Sequence, residues 1–294
     1  MSGRRLLALC LLSAACASGT TAPPEAANCA WRVCLERLRT PRAVQYRVVN
    51  REPVPATVRL SFSRLENLRP RSELPVEVVV PPHAEAAAVT MDEVMRDRSV
   101  SARPVLQVDL GSALTKPDAE YLYALPFGGQ QPRRLAQSYG GRDSHFGSMH
   151  YALDFAMPVG TPILAARAGE VVHVQDGFRE GGLDPELLDK ANVVVVGHSD
   201  GTMATYGHLR AGIMVRVGQR VEVGQLLGCS GASGLAGQPH LHFHVGQTLV
   251  SDPGRTVRVA VSADGRTPLE LALGVAYPPQ HNPDGCDLMR NDSR

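Results

Sequence analysis

At 294 residues the chain is longer than one average domain, and 44% hydrophobic against 20% charged residues is enough apolar material for packed cores, which excludes a wholly disordered chain. A formal net charge of +1, with Lys116 and Lys190 as the only lysines, gives no basic surface on which to expect nucleic acid. The 28 glycines and 22 prolines separate short Val-rich runs, a composition of turns and strands, so the expected class is mainly β.

The N-terminus, MSGRRLLALCLLSAACASG, sets Arg4 and Arg5 before an apolar run from Leu6 to Ala15 and then small residues. That is the pattern of an export signal over residues 1–17, too short to span a membrane. Two processing routes fit: LLSAAC resembles the lipobox ahead of a lipid-modified Cys16, with Ser13 where Leu is usual, and Ala15-Cys16-Ala17 suits ordinary signal cleavage. Either route carries the rest out of the cytoplasm, to the periplasm or cell envelope, tethered to a membrane through Cys16 or secreted. Export permits disulfides. Cys29, Cys34, Cys229 and Cys286 follow the signal, and the short loop of CAWRVC suits a Cys29–Cys34 pair, although four cysteines allow three connectivities and Cys229 also reads as a buried free thiol.

Residues 18–28 are small, polar and Pro-containing, the composition of a tether. From 29 to 118 come AVQYRVVN, ATVRLSFSRL, VEVVV, AAAVTM and PVLQVDL between Pro-rich turns, which predicts a small β-sandwich with no cluster of metal-ligating residues. A second domain is expected over 119–285, with turn-plus-strand runs GTPILAARAGEVVHV, ANVVVVGHSDGTMATYGHL and VRVGQRVEVGQLLG, and a hairpin at Asp200-Gly201. DGFREGGLDPELLDKAN reads as a polar surface insertion with at most a turn or two of helix at Pro185 to Lys190, possessing the character of a groove border. TVRVAVSADGRTPLELALGVAYPP predicts another hairpin ahead of a tail at 286–294.

Chemistry concentrates in three places in the second domain. HYALDF spaces His150 and Asp154 four apart, TYGHLR puts His208 at the end of a predicted strand, and PHLHFH sets His240, His242 and His244 on one face of another. Each alone is weak: an HxxxD pair is more often a surface contact, and alternate histidines are more often half-exposed strand residues. GCSGASG does not place Ser230 or Ser233 in a GxSxG elbow, and it lacks the phosphate-cradling GxxxxGK[ST] pattern.

Together, in order and rough spacing, these motifs resemble the lysostaphin-type (LytM-like) zinc metallopeptidases over about residues 120 to 250, with GTPILAARAGEVV and VGQLLGCSGASG as scaffold segments. The resemblance implies an antiparallel β LytM/lysostaphin-like domain (the duplicated hybrid motif) after the N-terminal sandwich. It implies one zinc ion on His150, Asp154 and His242, with water as fourth ligand, and His208 with His240 as the unligated catalytic pair. Three N/O ligands with an open position is what metal-assisted hydrolysis needs. His244 stands where that family commonly has Glu, and about 13 Å between the Cα atoms of His240 and His244 favours a supporting or exposed role for it. Among the other histidines only His145 lies near enough to His150 to be a reserve ligand. The implied function is an exported zinc metalloendopeptidase cutting peptide bonds of bacterial peptidoglycan. The competing class is a non-catalytic LytM-like envelope protein that binds or activates a partner hydrolase.

Overall fold

The run Asn192–Gly197, NVVVVG, is apolar at successive positions because it is covered on both sides. Val194 and Val196 join a core with Phe155, Tyr206 and Phe243, while Val195 joins a different core with Val54, Val58 and Leu60. The chain is seen here in a computed structural model that describes residues 28–249, 256–281, 283 and 286. The expected signal segment with Cys16, the tether up to residue 27 and the tail beyond Cys286 lie outside these residues.

The first unit matches the expected strands. One sheet orders Asn28–Ala30, Val33–Arg39, Ala43–Asn50, Glu85–Glu93 and Leu68–Pro70; a second orders Val76–Val80, Ala56–Glu66 and Ser101–Leu110. Alternation in Ala43–Asn50 sends Val44, Tyr46 and Val48 inward to meet Val58 and Leu60 from the other sheet. Each such buried side chain contributes about 1.5–3 kcal/mol of transfer free energy.

The second unit is built on one antiparallel sheet in the order Arg220–Val221, Gly169–Gln175, Asn192–Gly197, Met203–Leu209, His240–Gly246, Leu153–Ala156, Arg133–Gln137 and Ala276–Tyr277. The Asp200-Gly201 turn closes the expected hairpin between Asn192–Gly197 and Met203–Leu209. Asp200 organises the turn by accepting from Thr202 N and Oγ1, and it pairs with Arg167 at 2.7 Å. The insertion forms a single 3-10 turn at Pro185–Leu187, and Gly181–Gly182 pairs in parallel with Gly234–Leu235. Gly181 is required there, since a Cβ would stand 1.5 Å from the carbonyl oxygen of Ala232.

The hairpin expected near the C-terminus is not formed as such. Ala260–Ser262 pairs with Leu122–Ala124 and Ala276–Tyr277 with Arg133–Gln137, leaving one bridge, Ser262 to Pro268, across the Asp264 turn. The sheet edges outcompete a local pairing because each offers a ready ladder. Disulfides join Cys29 to Cys34, as the short loop suggests, and Cys229 to Cys286, so Cys229 is not a free thiol.

The two units share the upper face of the large sheet. Val172, Val195 and Met203 project from it into the core of the sandwich. Arg32 bridges Glu52 and Glu170, each at 3.0 Å, and Trp31 lies edge-on to His173. Thr205 pairs with both Val195 and His244, so the histidine-bearing positions of His240–Gly246 belong to that same face. No helix among the described residues is long and apolar enough to cross a membrane.

Candidate metal centre

Strand register brings the first two functional groups together. Asp154 on Leu153–Ala156 is the direct partner of His242 on His240–Gly246, and Asp154 Oδ1 lies 2.9 Å from His242 Nδ1. Alternation buries Leu241, Phe243 and Val245 in the core and turns His240, His242 and His244 to the other face.

The side chain that the structure groups with these two is His145, while the expected His150 lies outside the group. His145, Asp154 and His242 offer donor atoms that all lie within 4.8 Å of one another, and no other such group occurs among the described residues. His150 ends the 3-10 turn Gly147–Met149, exposed, its ring edge-on to Tyr151 at 4.7 Å. Asp154 therefore meets a histidine nine positions upstream, across a folded-back loop. Gln137 holds that loop: its Nε2 donates to Asp154 Oδ2 and Ser144 Oγ, both at 2.8 Å, while its Oε1 accepts from the backbone N–H of Asp143 and Ser144. The Gly140-Gly141 pair allows the fold-back, since Gly140 has φ +66° and a Cβ on Gly141 would stand 2.3 Å from Gln137 Cγ.

The donor set suits a divalent metal. His145 Nδ1 faces the Ser138 carbonyl at 3.0 Å, and a carbonyl only accepts, so Nδ1 carries a proton and, in the neutral ring, Nε2 carries the lone pair. That Nε2 is buried and lies 3.1 Å from Asp154 Oδ2. Two lone pairs at that range repel, and either a proton on Nε2 or a cation held between the two atoms relieves the repulsion. Two imidazoles and one carboxylate form a set that zinc accepts in catalytic sites, with bonds of about 2.0–2.2 Å. Burial alone would raise the Asp154 pKa, but the facing imidazoles of His145 and His242 outweigh it and hold the carboxyl well below the usual range.

The two remaining histidines flank this group. The rings of His208 and His240 lie 4.5 Å apart, and His240 Nε2 is 3.9 Å from Asp154 Oδ1. Each ring is anchored through Nδ1, His208 on the Ser233 carbonyl and His240 on the Gln238 carbonyl, both at 2.8 Å, so in the neutral ring Nε2 carries the lone pair. His208 has φ +61°, a left-handed backbone that costs a non-glycine residue about 1–3 kcal/mol and persists only where its surroundings enforce it. The enforcement is visible: Ser233 Oγ donates to Leu209 O, and Asn192 Nδ2 donates to the same carbonyl. Burial and the neighbouring His240 push the His208 pKa down to about 4, so it is a neutral acceptor at pH 7.

Sequence reasoning singled out Asp154, His208, His240 and His242, which the fold does gather. It held His145 only in reserve and missed Gln137, Asn192 and Ser233. Ser233, weighed as a nucleophile and set aside, is a buried support for the His208 segment.

Two histidines and an aspartate, gathered by two strands and one loop beside a second pair of imidazoles, form a donor group of the kind that holds a metal ion. Residues 148–253 match the model of peptidase family M23. The matched span begins just after His145. Over 96 residues the chain is 38% identical to the peptidoglycan DD-endopeptidase ShyA of Vibrio cholerae, covering 33% of this chain and 20% of that protein. It is 37% identical over 97 residues to lysostaphin of Staphylococcus simulans, covering 33% and 18%. A lipoprotein NlpD/LppB homolog of Pseudomonas aeruginosa is 34% identical over 105 residues, covering 36% and 32%. The chain thus spans less than a third of the length of each of these relatives.

Proposed function

We propose that the protein is an exported zinc metalloendopeptidase that hydrolyses peptide bonds in bacterial cell-wall peptidoglycan, with His145, Asp154 and His242 as ligands to one zinc ion. The observation that carries this reading is the convergence of three donor groups beside two oriented imidazoles, in a chain of which residues 148–253 match the model of a peptidase family. When bound, zinc supplies Lewis acidity, lowering the pKa of water toward about 7 and polarising a carbonyl. Asp154 contributes negative charge and, through Gln137, keeps the His145 loop in place. His240, whose Nε2 lies 3.9 Å from Asp154 Oδ1, is suited to take the proton from the attacking water. His208, held neutral and fixed by Ser233, is suited to orient that water or carry the proton to the leaving amine.

The relatives support this choice of substrate and place. ShyA is a peptidoglycan DD-endopeptidase by name, and an export signal at residues 1–17 would bring this chain to the same polymer, free or tethered through Cys16. The second reading, a non-catalytic envelope protein acting on a partner hydrolase, draws support from the similarity to the NlpD/LppB homolog and to the cell division protein DipM of Caulobacter vibrioides. Digestion of purified peptidoglycan with and without a chelator separates them. New peptide termini that vanish on chelation and return with zinc are expected; release unchanged by chelator, or none from zinc-loaded protein, would overturn the enzyme reading.

A further inference from the structure

His242 uses both ring nitrogens. Nδ1 faces Asp154 Oδ1 at 2.9 Å, and Nε2 faces His244 Nδ1 at 3.1 Å. The His242 ring thus stands between His244 and the donor group, so His244 cannot reach the same ion. Its position instead bears on which His242 nitrogen carries the proton. A neutral imidazole has one N–H and one lone pair. Nδ1 is the nitrogen on the side of Asp154 and His145, so it must present its lone pair for His242 to act as a ligand, and the proton must sit on Nε2.

Two acceptors compete for that proton. Asp154 Oδ1 would draw it to Nδ1, which blocks ligation. His244 Nδ1 would draw it to Nε2, which permits ligation. We propose that His244 is the positioning residue that fixes His242 as the Nε2–H tautomer, making the donor group a metal site. It does what a carboxylate or backbone carbonyl does behind most metal-binding histidines. The acceptor here is an uncharged imidazole, so it supports the ligand without adding negative charge to a face already holding Asp154. The sheet fixes the alignment. His244 is two positions from His242 on one strand and directly opposite Thr205 on the next, so its ring is directed along the same face.

This inference rests on the zinc-site reading, and the test separates the two. The metal-free full chain is titrated with zinc against a chromophoric chelator, for the wild type and for His244→Leu, His244→Gln and His244→Glu. Leu fills the space without an acceptor; Gln and Glu restore one. The expected result is a loss of about 10–100-fold in zinc affinity for Leu, the range seen when such outer partners are removed, with Glu returning to within about threefold of wild type. Nitrogen-15 NMR of the zinc-loaded wild type should show His242 protonated at Nε2 and His244 carrying its proton on Nε2, leaving its Nδ1 free to accept. Wild-type affinity in a folded His244→Leu protein overturns the proposal, as does a proton on His244 Nδ1 in the zinc-loaded wild type, a result that needs no variant to fold. A wild type that binds no zinc overturns the site reading and this inference with it. Zinc binding that is lost in His242→Ala and indifferent to His244→Leu leaves the site reading standing and removes only the role of His244.

Discussion

The sharpest test of the metal centre pairs His145→Ala with His150→Ala. These histidines are five residues apart, and only the first meets Asp154 and His242 at ligand range. Structural zinc sites with four ligands bind with about 10–16 kcal/mol, so one ligand is worth about 2.5–4 kcal/mol, or about two to three orders of magnitude in affinity. His145→Ala should therefore weaken zinc binding by about 100–1000-fold. The loss is not cushioned by a neighbour, because His150 is exposed and its ring lies against Tyr151. His150→Ala removes an exposed edge contact and should shift zinc affinity by less than about threefold, with a stability change within about 0.5 kcal/mol. Zinc affinity by chelator competition, with the melting temperature of the metal-free protein as control, reads both effects. Zinc retained by a folded His145→Ala protein and lost from His150→Ala would refute the reasoning and restore the simple HxxxD reading.

Other expectations follow from the same geometry. His240→Ala should keep zinc affinity within a few-fold and lose about 10²–10⁴-fold in kcat, the span of general acid–base contributions, whereas parallel loss of zinc and rate would make it a ligand. Asp200 tests electrostatics away from the centre. Burial would raise its pKa, but hydrogen bonds from Asp118 and Thr202 and the pair with Arg167 bring it down to about 2. Its folded pKa is depressed, so its stabilisation is full above about pH 4 and lost as pH falls toward 2; about 2 kcal/mol is at stake. In denaturant titrations the gap between wild type and Asp200→Asn should accordingly be present at pH 6 and close by pH 2, and a constant gap would contradict the assignment. Replacing both Cys229 and Cys286 by Ala opens a bridge spanning 57 residues and should cost about 2–4 kcal/mol in denaturant midpoint measurements, with no loss expected if that bridge does not form in the mature protein.

Much of the fold was legible because strands announce themselves locally. The alternation in AVQYRVVN and the Asp200-Gly201 turn each depend on neighbours a few residues away, and both elements form as expected. The HxH strand was legible for the same reason: period two decides which side chains share a face. His145 was not. HxxxD is a contiguous spacing, and a reading of spacing favours the nearer histidine. The loop that carries His145 to Asp154 is held by Gln137, whose side chain reaches Asp154 seventeen residues on, a contact no local pattern encodes. The Gly140-Gly141 pair was the one visible signal that the chain reverses there. The Cys229–Cys286 link and the pairing of Ala260–Ser262 with Leu122–Ala124 were hidden for the same reason, since each is decided by tertiary proximity.

The unbroken valines of NVVVVG carried more information than a strand assignment used. A strand covered on one face would alternate with polar residues, so four valines in a row require a second covering layer. That layer is the sandwich, received by Val172, Val195 and Met203. Met203 begins the strand that carries His208 near its end, with Thr205 opposite His244 and Gly207 opposite His242. The contact with the first unit and the histidines of the second are thus two ends of one strand on one sheet face, a strand of only 7 residues. Tyr206 pins the other face of the same strand, its hydroxyl accepting from Ala166 N at 2.9 Å within the core. A strand clamped on both faces and at its start has little freedom to shift register, and a one-residue slip would turn His208 away from His240. The sandwich therefore belongs to the physical account of the centre: it closes the layer whose rigidity lets a strained His208 backbone hold its ring in place.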